Sequence, residues 1–268
     1  MTQGKNASPF FLQKLIPRNK KPLLPIYRNL LSMGSIGYYL HTEDGWRTRV
    51  YIYNHFALLN DAPFQAAWEA RFFTRAGDVA ARRTGTFVNP ETVILETADI
   101  PGLDQYGIIS VHIKDAKTDR MLHELYSSVF FTEFFVPGTK KSIMAHCLSG
   151  SPKASHCGMD HMSTSWTTPA GFRPTLYLGN SCRFQSFFHP ACGHAAVTFI
   201  NHRGEKKTIQ LKPLPQLGCQ KVDLFGQFPE IEPHVGSGPY SMHVLGKNIL
   251  HKPFMTQTNG TVVLGEHL

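Results

Sequence analysis

The chain is poor in acidic residues and in charge altogether. It has 19 Asp and Glu against 27 Lys and Arg over 268 residues, a net charge of +8, and only 17% of its residues are charged. Beside a 42% hydrophobic and 12% aromatic content, so low a charged fraction excludes a largely disordered chain. No uninterrupted apolar run approaches the roughly 18 residues that cross a bilayer as a helix, so no transmembrane segment is expected. A signal peptide is not expected either, because Gln13, Lys14, Arg18, Asn19, Lys20 and Lys21 break up the first apolar stretch. Cysteine is sparse and odd in number, five in all, which fits reduced thiols better than a disulfide framework. These absences together make a cytoplasmic location the expectation. Catalytic signatures are missing as well. There is no Gly-x-Ser-x-Gly elbow, no phosphate-cradling loop before Lys-Ser/Thr and no Gly-x-Gly-x-x-Gly. The scattered acids identify no carboxylate pair.

What is present reads as strands. The 22 glycines and 18 prolines are spread along the chain as turn punctuation, and no stretch sustains a 3.6-residue period. Thr208-Ile209-Gln210-Leu211-Lys212 and Lys221-Val222-Asp223-Leu224 alternate apolar and polar, as a half-buried antiparallel strand requires. The expected fold is all-β. Residues 1–32 form a basic N-terminal arm, extended or partly helical, that carries Lys5, Lys14, Arg18, Lys20, Lys21 and Arg28. Such an arm solubilises, clasps a neighbouring subunit or meets an anionic partner. No aromatic-interleaved RNA-binding signature accompanies it, so nucleic acid is not the expected partner. A short helical turn is expected within Phe64 to Arg75, around Ala66, Ala67, Trp68 and Ala70.

An internal repeat organises the rest. Thr74-Arg75-Ala76-Gly77-Asp78 answers Asn201-His202-Arg203-Gly204-Glu205, each with a glycine free to take positive φ just before an acid. Backwards, Phe72 matches Phe199, and Tyr51-Ile52-Tyr53-Asn54 matches Leu176-Tyr177-Leu178-Gly179-Asn180. Forwards, Leu95-Glu96-Thr97 matches Val222-Asp223-Leu224, and Ser110-Val111-His112-Ile113 matches Ser241-Met242-His243-Val244. Leu122-His123 then answers Leu250-His251. The reading is a tandem duplication of an antiparallel β-sandwich, the first copy at 33–136 and the second at 172–268, with an inter-repeat segment at 137–171.

The run Phe-x-Asn-x-x-Gly-Glu at Phe199 to Glu205, then Pro213-Leu214 and a final strand with Ser241 and His243, resembles the small β-sandwich proteins of the sensory rhodopsin transducer family. The resemblance covers the second repeat more fully than the first. It implies a cytoplasmic binding module that assembles into oligomers and carries no catalytic residues; only the fold is transferable on that basis.

Candidate chemistry gathers in the inter-repeat segment. His146-Cys147 is followed, after eight intervening residues, by His156-Cys157, with Asp160 and His161 close behind. Thiolate and imidazole are the preferred ligands of zinc and of other imidazole-binding transition metals. No Cys-x-x-Cys pair is present, and adjacent His-Cys residues point apart on an extended strand. Buried cysteines acting as small hydrophobes, with surface histidines, are the alternative, and a reactive Cys147 or Cys157 beside its histidine is the third. Cys182, His189, Cys192 and His194 form a looser second set. The repeat itself suggests another group, His112 and His123 with His243 and His251, brought together by pseudo-twofold symmetry; alternatively each histidine bonds a neighbouring backbone. The expected function is a non-catalytic binding or assembly module for a small molecule, glycan or protein, self-association included. A metal-dependent enzyme built on the central His/Cys segment is the alternative.

Overall fold

A computed structural model describes residues 35–53, 65–87, 91–116, 130–146, 160–162, 166–180, 193–247, 249, 253–259 and 263–267. The expected basic arm lies outside them. The described residues are all-β, in strands β1 (Ser35–Glu43), β2 (Trp46–Tyr53), β3 (Ala66–Phe73), β4 (Val79–Phe87), β5 (Thr92–Glu96), β6 (Tyr106–Asp115), β7 (Phe130–Phe135) and β8 (Ser142–His146). There follow β9 (Asp160–Met162), β10 (Trp166–Thr168), β11 (Arg173–Gly179), β12 (His194–Ile200), β13 (Lys206–Gln210), β14 (Cys219–Asp223), β15 (Tyr240–Lys247), β16 (Phe254–Thr258) and β17 (Val263–His267). Two short helices, α1 (Leu224–Gln227) and α2 (Ile231–Val235), lie between β14 and β15.

In the first half, layer A has the order β4-β3-β6-β1 and layer B the order β5-β2-β7-β8. They form one continuous sheet folded over on itself. Strand β1 pairs with β6 through Ser35–Leu40 and then, past an irregularity at its end, with β2 through His41 and Glu43. The β1–β2 hairpin closes through Asp44 and Gly45, both at positive φ (48° and 80°), the conformation a two-residue turn needs to match strand twist. Alternation then sorts the side chains. Trp46, Val50 and Ile52 of β2 point inward between Arg47, Arg49 and Tyr51, and Ala66, Trp68, Ala70 and Phe72 of β3 do the same. This corrects the helical turn expected around Ala66–Ala70. Alanine favours helix only weakly, and burying Trp68 and Phe72 on one face demands period two.

The second half has a similar strand order, divided between two sheets. Layer C runs β13-β12-β15, with β10 and β9 both paired to β15 where β1 pairs β6, and layer D runs β14-β11-β16-β17. The two anchor turns share two backbone hydrogen bonds. Thr74 N donates to Asp78 O at 2.8 Å and Gly77 N to Thr74 O at 3.0 Å; Asn201 N donates to Glu205 O at 3.1 Å and Gly204 N to Asn201 O at 2.9 Å. Strand β5 runs into a 3₁₀ turn at Thr97–Asp99, and β14 into α1, where Asp223 caps the helix by accepting from Gly226 N. Within 137–171, the segment expected between the two repeats, β8 pairs into layer B, and β9 and β10 pair into layer C.

Each half has its own core. Val50, Ile52, Phe72, Ile109, Val111 and Phe130 fill the first; Leu176, Leu178, Val197, Phe199, Val222 and Met242 are among those filling the second. A third cluster joins the halves, with Tyr38, Phe73, Ile108 and Phe134 from the first packed on Tyr177, Leu217, Cys219 and Phe254 from the second. Layer D is therefore covered on both faces, which is why β11 is buried almost continuously where alternation was expected. Polar contacts fix the seam: Tyr38 Oη accepts from Gly179 N at 3.0 Å, Arg75 O accepts from Cys219 N at 3.0 Å, and Lys221 Nζ donates to Glu43 and, at 3.0 Å, to Asp44.

Candidate functional site

Of the histidines and cysteines singled out in the sequence, the structure describes some and not others. Cys147, His156 and Cys157 lie outside the described residues, as do His123, His251, Cys182, His189 and Cys192. His146 ends β8 in layer B of the first sandwich, while His161 sits in β9 of layer C in the second. Among the described residues no three His, Cys, Asp or Glu side chains come together to hold a metal ion. Cys219 is a buried free thiol, and its burial pushes the thiol pKa well up, so it behaves as a small hydrophobe.

The pairing registers also revise the histidine correspondence. Phe72 lies opposite Ile109 and Phe199 opposite Met242, so the position equivalent to His243 is Ser110, two residues before His112. The offset is even and keeps both histidines facing away from their own cores. His112 is buried on layer A, the layer that packs against D, whereas His243 is half-buried on the outer face of C. Layer D and the second core separate those two surfaces, and each face-to-face spacing is about 10 Å. The two do not converge. Ser110 Oγ instead lies 3.2 Å from His112 Nε2, both essentially without solvent exposure. Glu69, opposite His112 in register, has its carboxylate taken by Arg71 (2.5 Å) and Arg82 (2.8 Å). A serine, an imidazole and an acid so placed serve hydrogen bonding within the sheet.

The outer face of layer B is different in kind. Arg49, Tyr51 and Tyr53 of β2 point outward there, beside Ile94 and Glu96 of β5, Phe131, Glu133 and Phe135 of β7, and Ser142 and Met144 of β8. Arg49 donates to Glu96 at 2.5 Å and to Glu133 at 3.4 Å, and its guanidinium lies 4.0 Å above the Phe135 ring. Glu133 also accepts from Tyr51 Oη at 2.6 Å and from Ser142 Oγ at 2.7 Å. Tyr53 and Phe131 stack with centroids 5.6 Å apart. Around this locked network Ile94 (55%), Phe131 (37%) and Met144 (58%) are exposed. Three large apolar side chains on one strand-built face are more informative than the same residues scattered singly. None of them was singled out in the sequence, although Tyr51, Tyr53 and Phe131 at outward positions are a readable signal.

Burial alone would raise the Glu133 carboxyl, but the bonds from Tyr51 and Ser142 and the charge of Arg49 outweigh it and hold the pKa below the usual value. Stability from this group is thus present above the unfolded value of about 4.3 and is lost as pH falls through the lower folded value. In thermal unfolding followed from pH 7 down to pH 3, the Glu133→Gln variant is expected to lose less stability over the acid limb than the parent. Parallel curves would exclude Glu133 as a contributor to acid lability.

Comparison of this chain with protein-family profiles, curated proteins and solved structures finds no match.

Proposed function

We propose that the chain is a non-catalytic, cytoplasmic assembly module made of two diverged copies of one β-sandwich unit, and that it self-associates through the outer face of layer B. The observation that carries this reading is the exposed trio Ile94, Phe131 and Met144 set around an Arg49–Glu133–Tyr51 network whose charges already satisfy one another. A face neutralised from within requires no countercharge from its partner. With Arg47 and Arg49 outward on β2 against Glu96 and Glu133, the face is close to neutral, so a second copy brings little net charge to it although the chain as a whole is at +8. Isologous pairing of one patch with itself is also the commonest route to a homodimer. Shared strand order, the matched anchor turns and the equivalent strand-to-helix exits of β5 and β14 support the common origin of the two halves. The odd cysteine count and the buried free thiol of Cys219 support a reducing compartment.

Light scattering on the full chain tests the reading. A discrete oligomer is expected, with dissociation raised at least tenfold by Met144→Glu or Ile94→Glu while circular dichroism stays unchanged. Both side chains stand clear of the cores, so the folded state should tolerate the charge. A parent chain that stays monomeric at high concentration would rule the reading out. So would an oligomer that ignores both variants but dissolves when residues 1–30 are deleted, since the arm would then make the contact.

A further inference from the structure

The outer face of layer B has a counterpart that the chain itself buries. Val50 lies between Leu95 and Thr132 in its ladders, and Leu176 between Val222 and Met255. Leu95 and Val222 each stand two residues before the helical turn that follows their strand. Aligned on these residues, Tyr51 corresponds to Tyr177, Phe131 to Phe254 and Ile94 to Lys221. At the seam Tyr177 and Phe254 are 2% and 0% exposed, in one cluster with Tyr38, Phe73 and Ile108 of layer A, and Lys221 is bonded to Glu43 and Asp44. In layer B, Phe131 is 37% and Ile94 55% exposed. Layer B thus presents outward the positions by which layer D is buried inside the chain.

The face of layer A that receives layer D has its own counterpart on layer C, and there the chemistry differs. The anchor turns align Phe73 with Ile200, and the ladders then align Ile108 with Ser241 and Tyr38 with Thr167. Tyr38, Phe73 and Ile108 are nearly without exposure, whereas Thr167 is exposed and Ile200 and Ser241 are half-buried. Two of the three apolar seam positions are therefore polar on layer C, and Lys206 stands opposite Ile200. The Tyr38 hydroxyl, which reaches across the seam to accept from Gly179 N, is replaced by a threonine hydroxyl held close to its own backbone. A layer-B face laid on layer C would bury Tyr51 and Phe131 against hydroxyls and an ammonium group, which costs desolvation and returns little.

We propose that layer C is a cap: the two free end faces of the chain are not complementary, and layer B is buried against layer B of a second copy, so that assembly closes at two chains. This rests on the self-association reading and adds the reason why association stops. Complementary ends would make a head-to-tail contact, which repeats without closing and grows into a filament. Stacked-repeat proteins end in units whose outer face is polar. The seam shows what growth would use, a face like that of layer D on a face like that of layer A. The face of layer A is already occupied by layer D, and Thr167 and Ser241 leave layer C without an equivalent. Among the described surfaces of this chain, layer B has another layer B to meet.

Sedimentation and light scattering on the full chain test this. The parent is expected at the mass of two chains and to stay there as concentration rises, and Thr167→Glu, on layer C, should leave that mass unchanged. Thr167→Tyr combined with Ser241→Ile gives layer C the residues that layer A has at those registers. Both side chains point away from the second core, and circular dichroism with the thermal midpoint checks that the fold is kept. The folded double variant should grow with concentration past about four chains, and adding Ile94→Glu should stop the growth. A folded double variant that stays at two chains overturns the proposal, as does a parent that grows without limit or one that Thr167→Glu dissociates. Should the double variant fail to fold, the Thr167→Glu result decides alone. A monomeric parent is a different failure, since it removes the self-association reading and the cap with it.

Discussion

Replacing Phe254 with alanine should lower the free energy of unfolding by about 3–5 kcal/mol, the range for truncating a fully buried phenylalanine. The side chain has no solvent exposure, and its ring lies 4.4 Å from that of Phe134 and 5.5 Å from that of Tyr177. Phe134 belongs to the first sandwich and Tyr177 to the second, so the cavity opens on the seam between them. A second effect follows. Two sandwiches joined by a large apolar contact unfold as one cooperative unit, and weakening that contact separates their transitions. Denaturant unfolding followed by circular dichroism and by near-ultraviolet signals should give coincident curves for the parent and staggered curves for Phe254→Ala. A cost within about 0.5 kcal/mol, the scale of a surface substitution, would show that the seam is held elsewhere.

The all-β class was legible because it rests on period-two burial, which strands such as β2 display residue by residue. The anchor turns were legible for a related reason. Gly77 and Gly204 need positive φ, and few residues supply it. The limits of that reading are equally physical. Alternation survives a slip of two residues, so Ser110-Val111-His112 and Ser241-Met242-His243 could be matched by eye while the ladder registers set His243 against Ser110. The ends of the halves were obscured because β9 and β10 are three residues each, too short for any periodic signal. Burial of β11 on both faces arises only when the two halves meet, and no local pattern in Arg173–Gly179 announces it.

The candidate face was less legible than the fold. Its network joins Arg49, Glu96 and Glu133, which stand far apart in the chain and become neighbours only through the β5-β2-β7 pairing. The search for chemistry was drawn to histidine and cysteine because their ligand preferences are strong, whereas an arginine, a tyrosine and a glutamate on separate strands form no motif. Gln257, whose buried side-chain amide has no hydrogen-bond partner among the described residues, was illegible for the same reason, because it alternates correctly within Phe254–Thr258.

Gly77→Ala and Gly204→Ala are equivalent changes in equivalent turns, and they should differ sharply. Both glycines sit at positive φ, 95° and 81°, where an L side chain costs about 1–2 kcal/mol. At Gly204 an added Cβ meets nothing within 4 Å, so that backbone cost should be the whole effect. At Gly77 the same atom would stand 2.0 Å from Gln216 O, in the second sandwich, with the Gln216 carbonyl carbon and Gly218 N a little beyond 3 Å. Those are backbone atoms in a stretch pinned by the Cys219 N to Arg75 O bond, so relief requires the two halves to move apart. Overpacking of this kind adds about 1–3 kcal/mol or more. Chemical denaturation of the two single variants measures the difference directly, and because the turns share their backbone hydrogen bonds, the excess at Gly77 reports chiefly the fit between the sandwiches. Equal destabilisation would mean that the seam yields there without cost.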